Sequence, residues 1–312
     1  MRSYLLGVLS VLPMIALAQG SRAWRETSFV ATPRGEWKGP LLPDGQPDVS
    51  GHWSNTIGNH NSLTSPQGAQ GRDDEAAPQN GGGNARRQQE PRERAPSRVS
   101  DPPDGQVPFQ PWARAKQEEF QKYLNNPIRP EYVEPFARCA PGGPTKSFEW
   151  HGYEIRQFPG YVVFLFDSGN RVIHLDGKPH LPENLKLWNG DSRGHWEGNT
   201  LVVDTTNNNS KARFGRSGEF VSENATVMEQ FVFDPSGDRF TYSATYTDPT
   251  VLTRPFTITI PNKRVTDKTP GDDWNNLTFF AKHAGDDPII EAYERVCVEG
   301  NGDHGQVVAE TK

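Results

Sequence analysis

The sequence predicts an all-β protein, an antiparallel up-and-down barrel with one short helix outside it. Three observations carry that expectation. From Phe148 onward, nine short segments rich in β-branched and aromatic residues follow one another with turn residues between them. No helical period interrupts them. A sheet of that many strands curls, and closing it removes its exposed edges. A two-sheet sandwich is the alternative that the same pattern allows.

Residues 1–18 read as a signal peptide. Arg2 gives a positive start, Tyr4 to Leu17 is apolar apart from Ser10, and Ala16-Leu17-Ala18 is a small-x-small cleavage pattern before Gln19. The run is shorter than the roughly 20 apolar residues that a span needs. The expected mature protein is secreted, periplasmic or luminal, with no membrane association after cleavage. Residues 19–57 form an N-terminal segment with one short strand, Asp48–Trp53, entered from the turn Pro43-Asp-Gly-Gln-Pro47. This strand is expected to pack outside the barrel or to close one end of it.

Residues 58–106 are rich in Gly, Pro, Gln, Asn and Arg and hold almost no aliphatic side chains. Such a stretch buries too little apolar surface to offset its ordering entropy, so it is expected to be a disordered insertion. Residues 107–147 hold the helix Pro111–Leu124, with Trp112, Ala115, Phe120 and Leu124 near one face and Asn125-Asn-Pro127 ending it, then an irregular connection. Residues 148–300 are the barrel, and 301–312 a flexible tail. The expected strands are Tyr153–Phe158, Tyr161–Phe166, Arg171–Leu175, Thr200–Thr206, Ala225–Phe233, Phe240–Thr247, Phe256–Pro261, Asn276–Lys282 and Ile289–Val298. Phe158-Pro-Gly-Tyr161, Asp167-Ser-Gly-Asn170 and Asp234-Pro-Ser-Gly-Asp238 supply tight connections. The architecture is that of a lipocalin- or calycin-like barrel.

A net charge of −6 spread along the chain excludes nucleic acid and anionic membrane as partners, because both require a concentrated positive field. The two cysteines, Cys139 and Cys297, form an even pair in an oxidising compartment. They are expected to make a disulfide worth on the order of 5 kcal/mol, the figure for a long closed loop. Asn208, Asn224 and Asn276 stand in N-glycosylation sequons.

The densest group of ionisable and aromatic side chains lies between Arg171 and Thr206: His174, Asp176, His180, Asp191, Arg193, His195, Trp196, Glu197 and Asp204. Residues 171–175 and 200–206 alternate as strands, with the polar stretch between them expected as a loop. His174 and Asp176 share one face with Val172, opposite Arg171, Ile173 and Leu175; Asp204 lies opposite Leu201 and Val203. If the polar faces line the interior, His174 and Asp204 look into a pocket walled by Trp196, Tyr242 and Tyr246. His174 or His195 would then move a proton, Asp191, Glu197 or Asp204 would orient it, and Arg193 would steady developing negative charge. The opposing expectation is that these groups form a salt-bridged loop that holds the barrel shut.

Other chemistries lack their context. His174, Asp176, His180, His195 and Asp191 supply metal-ligand types without a compact ligand spacing, so no metal is expected. Gly190-Asp-Ser-Arg-Gly194 matches the letters of a nucleophile elbow, but a strand rather than a helix follows it. No glycine-rich loop opens a helix, and no cofactor is expected.

Pro43-Asp-Gly-Gln-Pro-Asp-Val-Ser-Gly-His-Trp53, Asp101-Pro-Pro-Asp-Gly105, Leu175-Asp-Gly-Lys-Pro-His180, Gly190–Thr205 and Tyr293–Asn301 resemble successive blocks of a large family of exported, mostly bacterial proteins. Its members open with a PDGxPDxSGxW block and centre on GxSxGxWEGDTLVVDT. The resemblance implies a β-rich fold and paired cysteines, and no general activity. The chain departs from the pattern at His195, Asn199 and Thr206-Asn-Asn-Asn209. The reading that follows is a cofactor-independent isomerase or cyclase acting on a small hydrophobic molecule, a terpenoid or polyketide-like natural product. The alternatives are a non-catalytic carrier of the same ligand class and an extracellular structural protein without a pocket.

Overall fold

The computed structural model describes residues 31–56, 97–123, 127–148, 152–166, 169–215, 218–266, 280–282 and 290–292. The elements are β1 (Gly51–Asn55), β2 (Val99–Asp101), α1 (Pro111–Tyr123), β3 (Tyr153–Phe158), β4 (Tyr161–Phe166), β5 (Gly169–His174), β6 (Asp191–Glu197), β7 (Thr200–Thr206), β8 (Thr226–Phe233), β9 (Arg239–Thr247) and β10 (Phe256–Val265). The sheet runs β1-β3-β4-β5-β6-β7-β8-β9-β10, and β1 pairs again with β10, so the ring closes. It is a barrel and not a two-sheet sandwich.

Closure depends on the length of β10. Its C-terminal part pairs with β1, Asn262 opposite Asn55 through Val265 opposite His52. Its N-terminal part pairs on the same edge with β2, Thr257 opposite Asp101 and Ile258 opposite Val99. The short β2 thus continues the wall that β1 begins, and residues 97–106, expected in the disordered insertion, are ordered. The N-terminal strand is a stave of the barrel, not an external cover. Trp53 explains why: it is fully buried, donates its indole N–H to the Val49 carbonyl at 3.0 Å, and meets Phe233 and Phe240 edge-on.

The up-and-down expectation also needs correction. β5 and β6 run parallel, joined by only two residue pairs, Ile173 with Ser192 and His174 with Arg193. Every other ring pairing is antiparallel. The connection from β5 to β6 must therefore travel back along the barrel wall before β6 can start. β6 itself was expected as loop, because Asp-Ser-Arg-Gly-His-Trp-Glu lacks β-branched residues. Tertiary pairing along its whole length with β7 overrides that weak propensity. The turn from β6 to β7 is shaped by Gly198, at φ +61°, where a Cβ would lie 2.1 Å from the Gly35 carbonyl oxygen; the chain at Gly35 crosses there and bonds with Asn199.

Two expected strands are not staves. The described parts of Asn276–Lys282 and Ile289–Val298 form a separate ladder of β11 (Phe280–Lys282) with β12 (Ile290–Ala292). The helix sits outside the ring on Ala113, Gln117 and Phe120, a seven-residue stripe, with Trp112 and Ala115 exposed instead. Phe120 packs on Phe220 and Tyr132. Of the expected Cys139–Cys297 disulfide, Cys139 is an exposed residue at the end of a 3-10 turn and Cys297 lies outside the described residues. Ring closure by β1 and β10 supplies a long-range tie. Residues 1–18, the 301–312 tail and Asn276 lie outside the described residues as well. Among the described residues no helix is long and apolar enough to cross a membrane.

Candidate functional site

Alternation along each strand decides what the barrel contains. The inward side chains include Ile173, Leu201, Val203, Phe231, Phe240, Tyr242, Tyr246, Phe256 and Ile258, all buried. This is the face of β5 and β7 opposite to the one that carries His174 and Asp204. The orientation that the sequence leaves open is therefore the other one: the aliphatic faces point in and the polar faces point out. An apolar interior wins because burying a row of ionisable groups without full hydrogen bonding costs several kcal/mol each.

Two charges nevertheless go inside. Arg171, on β5, is 3% exposed and Glu229, on β8, is fully buried. Arg171 Nη1 donates to Glu229 Oε1 at 2.8 Å, and Nη2 makes the second, shorter bond to Oε2. The remaining bonding capacity is taken by hydroxyls. Arg171 Nη2 reaches Ser192 Oγ at 2.9 Å and Thr205 Oγ1 at 3.0 Å, while Glu229 accepts from Thr205 Oγ1 at 2.9 Å and Tyr242 Oη at 2.7 Å. The cluster joins five neighbouring strands, β5 to β9, in one network. Burial, and next to it the charge of Glu229, push the Tyr242 phenol well above its ordinary range, so it stays a neutral donor. For Arg171 burial works against the charge, and Glu229 outweighs it, so the guanidinium stays protonated.

A segment of chain lies over this cluster. Residues 142–148 are all buried, and they end in the 3-10 turn Lys146–Phe148. The Phe148 ring stands among Tyr153, Phe164, Phe166, Phe231 and Tyr242 with centroids 4.5–5.6 Å away. Those residues come from four different strands, so Phe148 occupies the middle of the barrel. The Pro144 carbonyl accepts from Arg171 Nη1 at 3.4 Å, Asn55 Nδ2 donates to the Phe148 carbonyl at 3.0 Å, and Thr145 meets the Tyr246 hydroxyl. The void nearest this segment measures about 10 Å³, room for one water. The interior is thus filled by the protein's own side chains.

Outside the barrel, the residues expected at the site fall into separate groups. His180 bridges Asp191 through Nδ1 at 2.9 Å and Asp204 through Nε2 at 3.1 Å. Arg193 donates to both Asp191 oxygens, at 3.0 and 3.2 Å, and to Asp176 at 3.2 Å. Leu181 N–H adds a third kind of donor to Asp191 at 3.0 Å. This cluster pins the β5–β6 connection across the parallel seam, which is the salt-bridged loop foreseen as the opposing expectation. His195 lies further along β6 with Glu197, which also meets Arg34. His174 meets the Tyr161 ring, with centroids 5.2 Å apart. Trp196 is half-buried against Phe233, while Tyr242 and Tyr246 are interior. Asn208 is buried and its amide donates to the Ala225 carbonyl at 2.8 Å, so that sequon does not offer its nitrogen to a glycan, whereas Asn224 is exposed.

Reading the sequence did not single out Arg171 and Glu229. The available signal was a charge placed on an apolar face: Arg171 alternates with Ile173, and Glu229 with Val227, Phe231 and Phe233. Among the described residues no group of three or more His, Cys, Asp or Glu side chains is arranged to hold a metal. No protein-family model matches the chain, and neither a curated protein nor a solved structure matches it significantly.

Two measurements test this site. Arg171→Met or Glu229→Gln alone should cost about 3–5 kcal/mol in urea unfolding, and the double variant Arg171→Met/Glu229→Leu should recover much of it, since one stranded charge is worse than none; additive losses would contradict a coupled pair. Asp191 is held below its ordinary 3.8: burial opposes this, but the Arg193, Leu181 and His180 donors prevail. Its stabilising contribution is therefore present above pH 3.8 and lost as pH falls through the lower folded value. Thermal melts should show wild type well above Asp191→Asn at pH 7 and the two converging towards pH 2. Parallel curves would refute that assignment.

Proposed function

We propose that the protein is a cofactor-independent isomerase or cyclase for a small apolar molecule, and that the chemistry takes place inside the barrel at Arg171, Glu229 and Tyr242. One observation carries this reading: a two-bond ion pair, essentially without solvent exposure, set among hydroxyls in an otherwise aromatic interior. A buried pair of this kind adds little stability over apolar residues of the same volume. Titratable groups in a desolvated setting gather at reactive sites.

The geometry supports the following roles. Glu229 takes a proton from a carbon of the substrate and returns it to another carbon, so that no proton, electron or co-reactant is consumed. Arg171 and the neutral Tyr242 phenol hold the substrate oxygen that gains negative charge meanwhile. The aromatic wall orients the apolar body. The exterior His180 and Arg193 cluster is assigned to holding the β5–β6 connection. The resemblance to exported proteins with a central GxSxGxWEGDTLVVDT block fits a secreted enzyme but adds no activity.

A carrier that binds the same ligand class without turnover is the second reading. It is favoured by the four donors already on Glu229, which occupy the lone pairs that a substrate would need. Both readings meet in one experiment. Compounds that accumulate when the gene is deleted are incubated with the purified protein and no added cofactor. Conversion by wild type, falling about 100-fold or more in Glu229→Gln, is the expected result, the range for loss of a proton-transferring side chain. His174→Ala, on the outer wall, should convert as wild type does. Binding without conversion establishes the carrier, and conversion indifferent to Glu229 removes the interior site.

A further inference from the structure

The proposed interior site raises the question of how a filled barrel admits a ligand. Three polar side chains of the interior are met by the chain between Gly142 and Phe148. Arg171 bonds the Pro144 carbonyl, Asn55 the Phe148 carbonyl, and Tyr246 the Thr145 hydroxyl, while the Phe148 ring fills the aromatic cage. This is the list of contacts that a ring-bearing molecule with a carbonyl oxygen would make. We propose that Gly142–Phe148 is an internal plug that occupies the ligand's place and leaves when the ligand enters.

Three features support a plug over ordinary core. The first is its anchoring. Lys146 is 1% exposed, and its ammonium is held by Glu134 at 2.7 Å and the Gly215 carbonyl at 3.3 Å. A buried ammonium is retained only while that carboxylate stays, so loss of this ion pair weakens the closed position. The second is a backbone that can pivot: Gly143 takes φ +88°, followed by Pro144. The third is the quality of the contact it replaces. At 3.4 Å the Arg171–Pro144 bond is longer than a good N–H···O bond, and an incoming oxygen can improve on it.

The same contacts define the ligand class. Arg171 is already neutralised by Glu229, so an anionic ligand would set a second negative charge beside that carboxylate. The plug offers Arg171 a neutral carbonyl and offers the cage one aromatic ring. The ligand is accordingly a neutral, ring-bearing carbonyl compound. This inference rests on the interior-site reading and narrows it.

The test uses prodan, a neutral naphthyl ketone whose emission shifts to the blue on burial, with anilinonaphthalene sulfonate as the anionic comparison. Titrations are run on the full chain and on Glu134→Gln. In parallel, trypsin cleavage after Lys146, identified by mass spectrometry, is timed with and without prodan. Prodan should bind wild type and speed cleavage after Lys146 about tenfold, and Glu134→Gln should bind prodan about tenfold more tightly, because the competent state no longer has to be freed from the plug. The sulfonate should do neither. If Glu134→Gln does not fold, the wild-type cleavage result decides. Prodan bound in the barrel with Lys146 still protected overturns the plug and leaves the interior site standing. No prodan binding to either protein, with a metabolite still converted, overturns the plug and ligand class but not the enzyme. Failure of both binding and conversion overturns both proposals.

Discussion

The Arg171–Glu229 pair is the constraint on which the rest of the barrel depends. Two charges removed from water have to be bonded on every side, and here the bonds come from Ser192, Thr205, Tyr242 and the Pro144 carbonyl. Those partners lie on β6, β7, β9 and the chain over the barrel mouth. Register in this half of the ring is therefore tied to one network: a slip of one residue on any of these strands would turn a partner outward and strand a charge. Around Trp53 a different arrangement serves: Phe233 and Phe240 meet the indole edge-on, Arg264 lies over it, and ladder pairing holds β1 between β3 and β10.

The parallel pairing of β5 with β6 follows from the same arrangement. Arg171 and Ser192 have to meet inside, and they do so because Ile173 stands opposite Ser192 across the seam. With two residue pairs the seam is short of backbone bonds, and the outer cluster makes up for it. His180 between Asp191 and Asp204, with Arg193 across to Asp176, staples the returning connection over the weak join. Inner and outer polar networks thus occupy opposite faces of the same strands, one set in a dry interior and one at the surface.

Much of the fold was legible in the sequence. The hairpins β3–β4 and β8–β9 follow from period-two alternation interrupted by Pro-Gly and Asp-Pro-Ser-Gly turns, and closure follows from strand number. What was not legible came from tertiary context. β6 has few β-formers, although Ser192, Gly194 and Trp196 do alternate with Asp191, Arg193 and His195. Asp48–Trp53 reads as a strand, but nothing local says that it closes a ring whose other member lies some two hundred residues away. Which strand faces point inward was not legible, for a physical reason. Clustered ionisable residues mark polar faces, and here those faces turn to water; the charges that the barrel buries, Arg171 and Glu229, stand isolated on apolar faces. Tyr242 and Tyr246 are buried because an aromatic on an alternating apolar face points into the core.

The most direct test of the buried network is the hydrogen exchange of the Arg171 guanidinium, followed by arginine-selective NMR at neutral pH and compared with Arg254, whose side chain is half exposed. The account predicts resolved, slowly exchanging Arg171 Nη protons with contacts to the Tyr242 ring, and fast exchange at Arg254. Exchange at Arg171 as fast as at Arg254 would mean that the pair is open to water, and the dry interior site would be contradicted.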